Sequence, residues 1–386
     1  MGARRMMALY CGVAVALGLV ACSTPHQALD QLMFRRDAAR LGRYGGTPLP
    51  RRRSLRWRFR TAAEIMAAPL ASQGRIYLAG MDGRLRALEL ASGKLLFEVT
   101  LGRMTASPAI SGSRLYVGTL AGAFYALDRR SGRVLWRRDL GGALASSPAV
   151  SGGLVLVGTS PLASGPILSD RHVLVGGSKG TLVALDASSG RTRWTYQARA
   201  PIHSSPAVRD RRVVVGVENG EIVALKLATG KEIWRFRTKR AVIATPAVGR
   251  DLLFVGSHDG RMYALRPKDG RMKWVFDTHE PIVASVALGA QRIYFGTVGG
   301  RFYALDRKSG RRIWSVDRPK ALLASAALVG EVVYVAGSDG LLLALATSNG
   351  RERFRISIGA PIVASPLPLA GAIAIAAFDY SLYLFD

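Results

Sequence analysis

Apolar and polar positions alternate along most of this chain in short runs separated by turn residues, and the runs recur. The stretch DGRMYALRPKDGRMKWVF (259–276) is followed forty residues later by GGRFYALDRKSGRRIWSV. Neither copy spaces its apolar residues as a helix would. Period-two alternation broken by Gly predicts strands and tight turns. Each unit reads as Ser-Pro with small residues, an apolar run ending in Gly, a G-x-h-x-A-L run, a turn ending in Gly, and an aromatic. In the fifth unit this predicts strands over 245–248, 252–255, 261–265 and 272–276.

The Ala-Leu pair falls at Ala87-Leu88, Ala126-Leu127, Ala184-Leu185, Ala224-Leu225, Ala264-Leu265, Ala304-Leu305 and Ala344-Leu345. Four residues after each turn Gly comes Phe97, Trp136, Trp194, Trp234, Trp274, Trp314 or Phe354, and from Gly190 onward the period is 40. A four-stranded sheet cannot bury both faces alone, so neighbouring units must stack. Four strands in about 40 residues is the arithmetic of a β-propeller blade. Seven complete units run from about residue 67 to 354. The last stretch, 365–386, holds three strands and stops, and the missing fourth stands at the other end as LRWRFR, 55–60. The expected fold is all-β: an eight-bladed propeller of four-stranded blades, its closing blade shared by the N- and C-terminal strands.

One interval is too long. Between Gly132 and Gly190 the excess is a duplicate, ASSPAVSGGLVLVG (145–158) against ASGPILSDRHVLVG (163–176). It predicts an extra strand pair projecting from one rim. Pro161, Leu162, Pro166, Asp170, Arg171 and His172 are the candidate partner-docking residues there, and a neutral duplication is the plainer reading.

The N-terminus carries Arg4 and Arg5, then a mostly apolar stretch over 8–21 that is too short to span a bilayer. It ends Leu19-Val20-Ala21-Cys22, which resembles a bacterial lipobox, with Cys22 acylated after cleavage before it; an ordinary signal peptide with a chance Cys is the alternative. Ser23 follows, as in enteric lipoproteins sorted to the outer membrane. The expected organisation is a signal peptide over 1–21, a lipidated basic tether over 22–54 with a short helix near 28–40, and the propeller over 55–386. Cys11 lies in the removed part, so one cysteine remains and no intramolecular disulfide can form.

The formal net charge of +28 invites a nucleic-acid reading. An exported protein meets little nucleic acid, so anionic lipid, lipopolysaccharide or acidic protein surfaces are the expected partners.

The G-x-h-[YV]-A-L-[DK]…[ST]-G-x-x-x-W pattern resembles the pyrroloquinoline-quinone-like propeller repeat and covers nearly all of 55–386. With the lipoprotein signal and tether, the whole resembles the outer-membrane β-barrel assembly lipoproteins. That resemblance implies a lipid-anchored scaffold on the periplasmic side of the outer membrane, working with barrel-assembly proteins or their unfolded clients. The same repeat also serves dehydrogenases, whose site implies an Asp base, a calcium ion and often adjacent cysteines. A hard cation needs several convergent oxygens, usually charged. Here the segments expected nearest the axis read IMAAP, MTASP, LASSP, IHSSP, VIATP, PIVAS, LLASA and PIVASP, with no Asp or Glu, and no cysteine pair or CxxCH exists. The expectation is therefore no cofactor, no metal and no enzymatic activity. His203, in PIHSSP, is the one titratable residue of the series and a candidate channel-mouth group, though a tolerated replacement of Val explains it too. A module binding envelope polysaccharide, peptide or lipopolysaccharide is the alternative function.

Overall fold

The computed structural model describes residues 37–49, 54–160, 167–169, 172–174 and 180–386. Within them the chain makes eight blades, each an up-and-down antiparallel meander of four strands with the first innermost. Blades 1 to 7 run over 70–100, 109–139, 149–197, 207–237, 247–277, 287–317 and 327–357, and blade 8 joins 367–385 with 55–60. Blade 7 gains a fifth, parallel strand from 43–44. Blade 5 consists of Ala247–Val248, Leu253–Gly256, Arg261–Leu265 and Met272–Asp277. Its first strand is shorter than the sequence predicts, because Thr245 and Pro246 belong to the connection that precedes it. The same holds around the ring: the pentads expected as inner strands lie in the loops feeding them. Blade 8 closes as expected. Leu55–Arg60 pairs with Ser381–Phe385, placing Trp57 against Leu384 and Arg60 against Ser381.

The recurring Gly and Trp make one joint. The indole of Trp234 donates to the Pro267 carbonyl of the next blade at 2.9 Å, and Trp57, Trp194, Trp274 and Trp314 each donate to the corresponding carbonyl. Under each ring lies the turn Gly of that next blade. A Cβ on Gly270 would stand 2.6 Å from Trp234, and its φ of +71° is closed to most side chains. Gly is thus needed twice over at one position. The Gly near the end of the second strand in blades 2 to 6 has a different reason: a Cβ on Gly256 would meet Ile282 of the next blade at 2.2 Å. Blades 2 to 6 each leave such a notch, and the next blade fills it with a fully buried aliphatic: Leu144, Ile202, Val242, Ile282 or Leu322.

A belt of hydroxyls ties the inner strands together. The backbone N–H of Ser107 donates to Ser147 Oγ of the next blade at 3.0 Å, and the step repeats from Ser147 to Ser205, Thr245, Ser285, Ser325 and Ser365 at 3.0–3.1 Å. Ala68 holds the eighth position.

The extra strand pair exists, as Ile167–Ser169 antiparallel to His172–Leu174, in a two-stranded sheet of its own. It is inserted between the second and third strands of blade 3, Leu154–Thr159 and Thr181–Asp186.

The folded body begins before residue 55. Of the segment expected as tether, residues 37–49 lie against the ring, with Arg43–Tyr44 pairing in parallel with the inner strand Ala327–Val329 of blade 7. Residues 28–36 of the expected helix lie outside the described residues, and 37–40 form a turn closed by Arg40 N–H to Asp37 O at 3.1 Å.

Candidate functional site

In such a meander, the turns joining first to second and third to fourth strands share one face, here called the turn face. The other connections share the opposite face, where the central cavity opens. The pentads feeding the inner strands line that cavity. The residues two positions before each belt position form its rim, mostly apolar: Ile243, Val283, Val363, and Met66 and Leu323 at 42% and 40% exposure. The hydroxyl belt lines its wall. The cavity is about 200 Å³, and Thr105 Oγ1 in its wall is buried without a hydrogen-bond partner among the described residues.

From the turn face the hub is closed by residues 38–42. Their carbonyls accept backbone N–H groups from four successive inner strands: Ala38 from Val208, Ala39 from Val248, Leu41 from Leu288 and Gly42 from Leu328, at 2.5–3.0 Å. Arg40 is fully buried, and its guanidinium donates to the carbonyls of Ser147, Pro148 and Pro206 at 2.8–3.0 Å. A guanidinium presents five donors in a rigid fork, which suits a ring of converging carbonyls. The strap then runs outward. Leu49 N–H donates to Tyr334 Oη at 2.8 Å, and burial keeps the Tyr334 phenol above its ordinary pKa although that bond pulls the other way. Gly46 and Thr47 border a groove of about 840 Å³ shared with Gly74, Leu90 and Gly371 of turns on this face.

The two faces differ in charge. The turn face carries RRSGR (129–133), RDRR (209–212), RPKDGR (266–271) and RKSGR (307–311). On the cavity face the second-to-third turns carry acids: Asp82, Glu218, Asp259, Asp339 and Asp379. Acids also occur on the turn face, but several are absorbed locally. Asp128 accepts from Ser131 N–H, Ser131 Oγ and Arg130 N–H, bonds that hold its carboxyl below the usual range, and Asp306 is held the same way by Ser309.

His203 occupies its rim position, but its ring turns to neighbours: Nδ1 lies 3.2 Å from Ser160 Oγ and Nε2 3.6 Å from Glu218 Oε2, with the side chain 38% exposed. Of the candidate docking residues, Pro161, Leu162, Pro166, Asp170 and Arg171 lie outside the described residues, as does Cys22. His172 begins the second strand of the extra pair. Arg40 was not singled out by sequence. Its partners are carbonyls more than a hundred positions away, and no local pattern marks them.

None of the cavity-lining residues is Asp or Glu. Among the described residues, no group of three or more His, Cys, Asp or Glu side chains is placed to hold a metal ion. A quinone held beside a hard cation does not fit this wall of methyls and neutral hydroxyls.

No curated protein matches the chain in sequence. Among solved structures it is similar to BamB from Moraxella catarrhalis, at 20% identity and TM-score 0.72, covering 87% of this chain and 98% of that one. It is also similar to a europium-containing methanol dehydrogenase, at 13% identity and TM-score 0.79, with 92% and 98% covered. A quinohemoprotein alcohol dehydrogenase from Comamonas testosteroni matches at 14% identity and TM-score 0.77, with 92% and 80% covered. At such identities these likenesses speak for the propeller alone. The family model is more specific, matching residues 81–161, 158–225 and 218–383. By that match the chain belongs to the family described as outer membrane protein assembly factor BamB.

Proposed function

We propose that the protein is a non-catalytic, lipid-anchored scaffold on the periplasmic side of the outer membrane that assists assembly of β-barrel proteins. The observation that carries this reading is the family match over 81–383, joined to a hub without the carboxylates a quinoprotein site needs. The Cys22 lipobox supplies the anchor. What such a disc offers a partner is surface. Each fourth strand has an open edge, and on blades 1 and 2 these strands expose Leu95, Leu96, Val134 and Leu135. Extended client segments can add to such an edge by backbone pairing. The inserted strand pair between 160 and 180 is a second docking candidate, with 161–172 the positions to mutate first.

The test is capture of the acylated protein from envelope extracts after crosslinking. Recovery of barrel-assembly proteins or unfolded barrel clients supports scaffolding. Recovery of polysaccharide or lipopolysaccharide alone overturns it and favours the binding-module reading, which the basic turn face would serve. Quinone-dependent dye reduction after adding quinone and calcium would overturn the non-catalytic part.

A further inference from the structure

We propose that the disc lies with its turn face against an anionic phospholipid surface. Two independent observations meet on that face. The first is charge. The basic turns over 129–133, 209–212, 266–271 and 307–311 are spread over blades 2, 4, 5 and 6. Arg130, Arg211, Lys268 and Lys308 at their tips are exposed, and none is in an ion pair among the described residues. The cavity face lacks this excess, its turns carrying Asp82, Glu218, Asp259, Asp339 and Asp379. A planar array of cations on a rigid disc suits a planar anionic surface, which all of it can meet at once.

The second observation is where the chain leads. Residues 38–42 cross the hub on this same face, pinned by Arg40. Cys22 precedes Asp37 by 15 residues, a distance that cannot exceed about 54 Å even fully extended. An anchor at Cys22 therefore pulls on the centre of the basic face and not on its rim. Central attachment applies little tilting torque, and the surrounding cations act together within a Debye length of the lipid, about 8 Å at physiological salt. This rests on the anchored reading above for the membrane being near; the face itself is set by described residues.

The test separates the two. Full-length chain carrying Cys11→Ser and Cys22→Ser is mixed with vesicles of phosphatidylcholine alone or with 30% phosphatidylglycerol, and bound protein is measured by sedimentation. Binding to the neutral vesicles, the N-terminal apolar stretch included, is the baseline, and the phosphatidylglycerol-dependent increment is the readout. A cation near an anionic bilayer strengthens partition by about five-fold. Reversing four (Arg130→Glu, Arg211→Glu, Lys268→Glu, Lys308→Glu) should cut the increment at least ten-fold. Reversing four on the cavity face (Arg103→Glu, Lys239→Glu, Arg240→Glu, Lys320→Glu) should cut it less than three-fold. Circular dichroism and the thermal midpoint check that both variants fold. A single fluorophore at Lys308→Cys should be quenched by doxyl-labelled lipid, and one at Lys320→Cys should not. Equal losses from the two reversals, equal quenching, no increment, or retention by an acidic polymer such as heparin without an increment would each overturn the proposal. Palmitate labelling of the unmodified chain tests Cys22 separately, so failure of the anchor leaves the face comparison readable.

Discussion

The guanidinium of Arg40 donates to the carbonyl of Pro148 at 2.8 Å across 108 positions of sequence. With the bonds to Ser147 and Pro206 it ties the start of the described chain to the hub of the ring. Replacing it by Met keeps bulk and removes every donor, leaving buried carbonyls unpaired. Hydrogen bonds from a charged group contribute about 1.5–3 kcal/mol. We therefore expect Arg40→Met to speed hydrogen exchange at the amides of Val248, Leu288 and Leu328 by about 10- to 150-fold, because these donate to the strap. The unfolding midpoint of the ring should move little. Unchanged exchange would show that the strap holds without its arginine.

Gly270 and Gly371 share nearly the same backbone angle, φ +71° and +70°, but only Gly270 lies beneath an indole. Gly371→Ala should cost about 1–2 kcal/mol, the strain of a left-handed residue bearing a Cβ. Gly270→Ala should cost about 3 kcal/mol or more, since Trp234 must also move and stretch its bond to Pro267. Denaturant midpoints decide, and similar costs for both would refute the joint.

Trp136 is the exception in its series. Its Nε1 is buried and unpaired among the described residues, and the carbonyl its counterparts use, Ala187 O, accepts instead from Tyr116 Oη at 2.9 Å. In Tyr116→Phe that carbonyl becomes available to the indole, so stability should change by less than about 0.5 kcal/mol. Tyr77→Phe should cost about 1 kcal/mol, because Phe97 has no donor to replace the Tyr77 bond to Arg129 O. A large loss in Tyr116→Phe would count against this exchange.

The closing blade has an acid-sensitive clasp. Asp386 accepts from Arg56 Nε and Nη2 at 3.0 and 2.9 Å and from Ser54 Oγ at 2.9 Å, and the Arg56 bonds foremost hold its carboxyl below the ordinary 3.8. A depressed folded-state value adds stability above the unfolded-state pKa and loses it as pH falls through the folded one. The thermal midpoint of Asp386→Asn should thus lie below the parent's at neutral pH and converge with it as pH drops below about 4. A gap that does not narrow as the pH falls would place the effect elsewhere.

Much of this was legible because the repeat states it many times over. Strand count, blade count and the closing role of 55–60 follow from spacing alone, and the extra pair was visible as a duplicated string. The inner strands were misplaced by a few residues, since Ser, Thr and Pro before each carry the hub's hydrogen bonds in loop conformation, and propensity does not separate that from a short strand. Residues 37–49 have no period, so their sequence alone predicts only a tether. Their order comes from the ring they meet, not from themselves.

The chain by itself determined that it is a closed eight-fold ring: every blade needs a neighbour to cover its faces, and the three-strand C-terminal end needs the strand at 55–60. The folded structure decided which turns share a face, and so separated the arginines of 129–133 and 307–311 from the acids at 82, 218, 259 and 339, which alternate with them along the sequence. It also decided that Arg40 closes the hub. Both depend on through-space neighbours brought together by ring closure, a relation that no local pattern encodes.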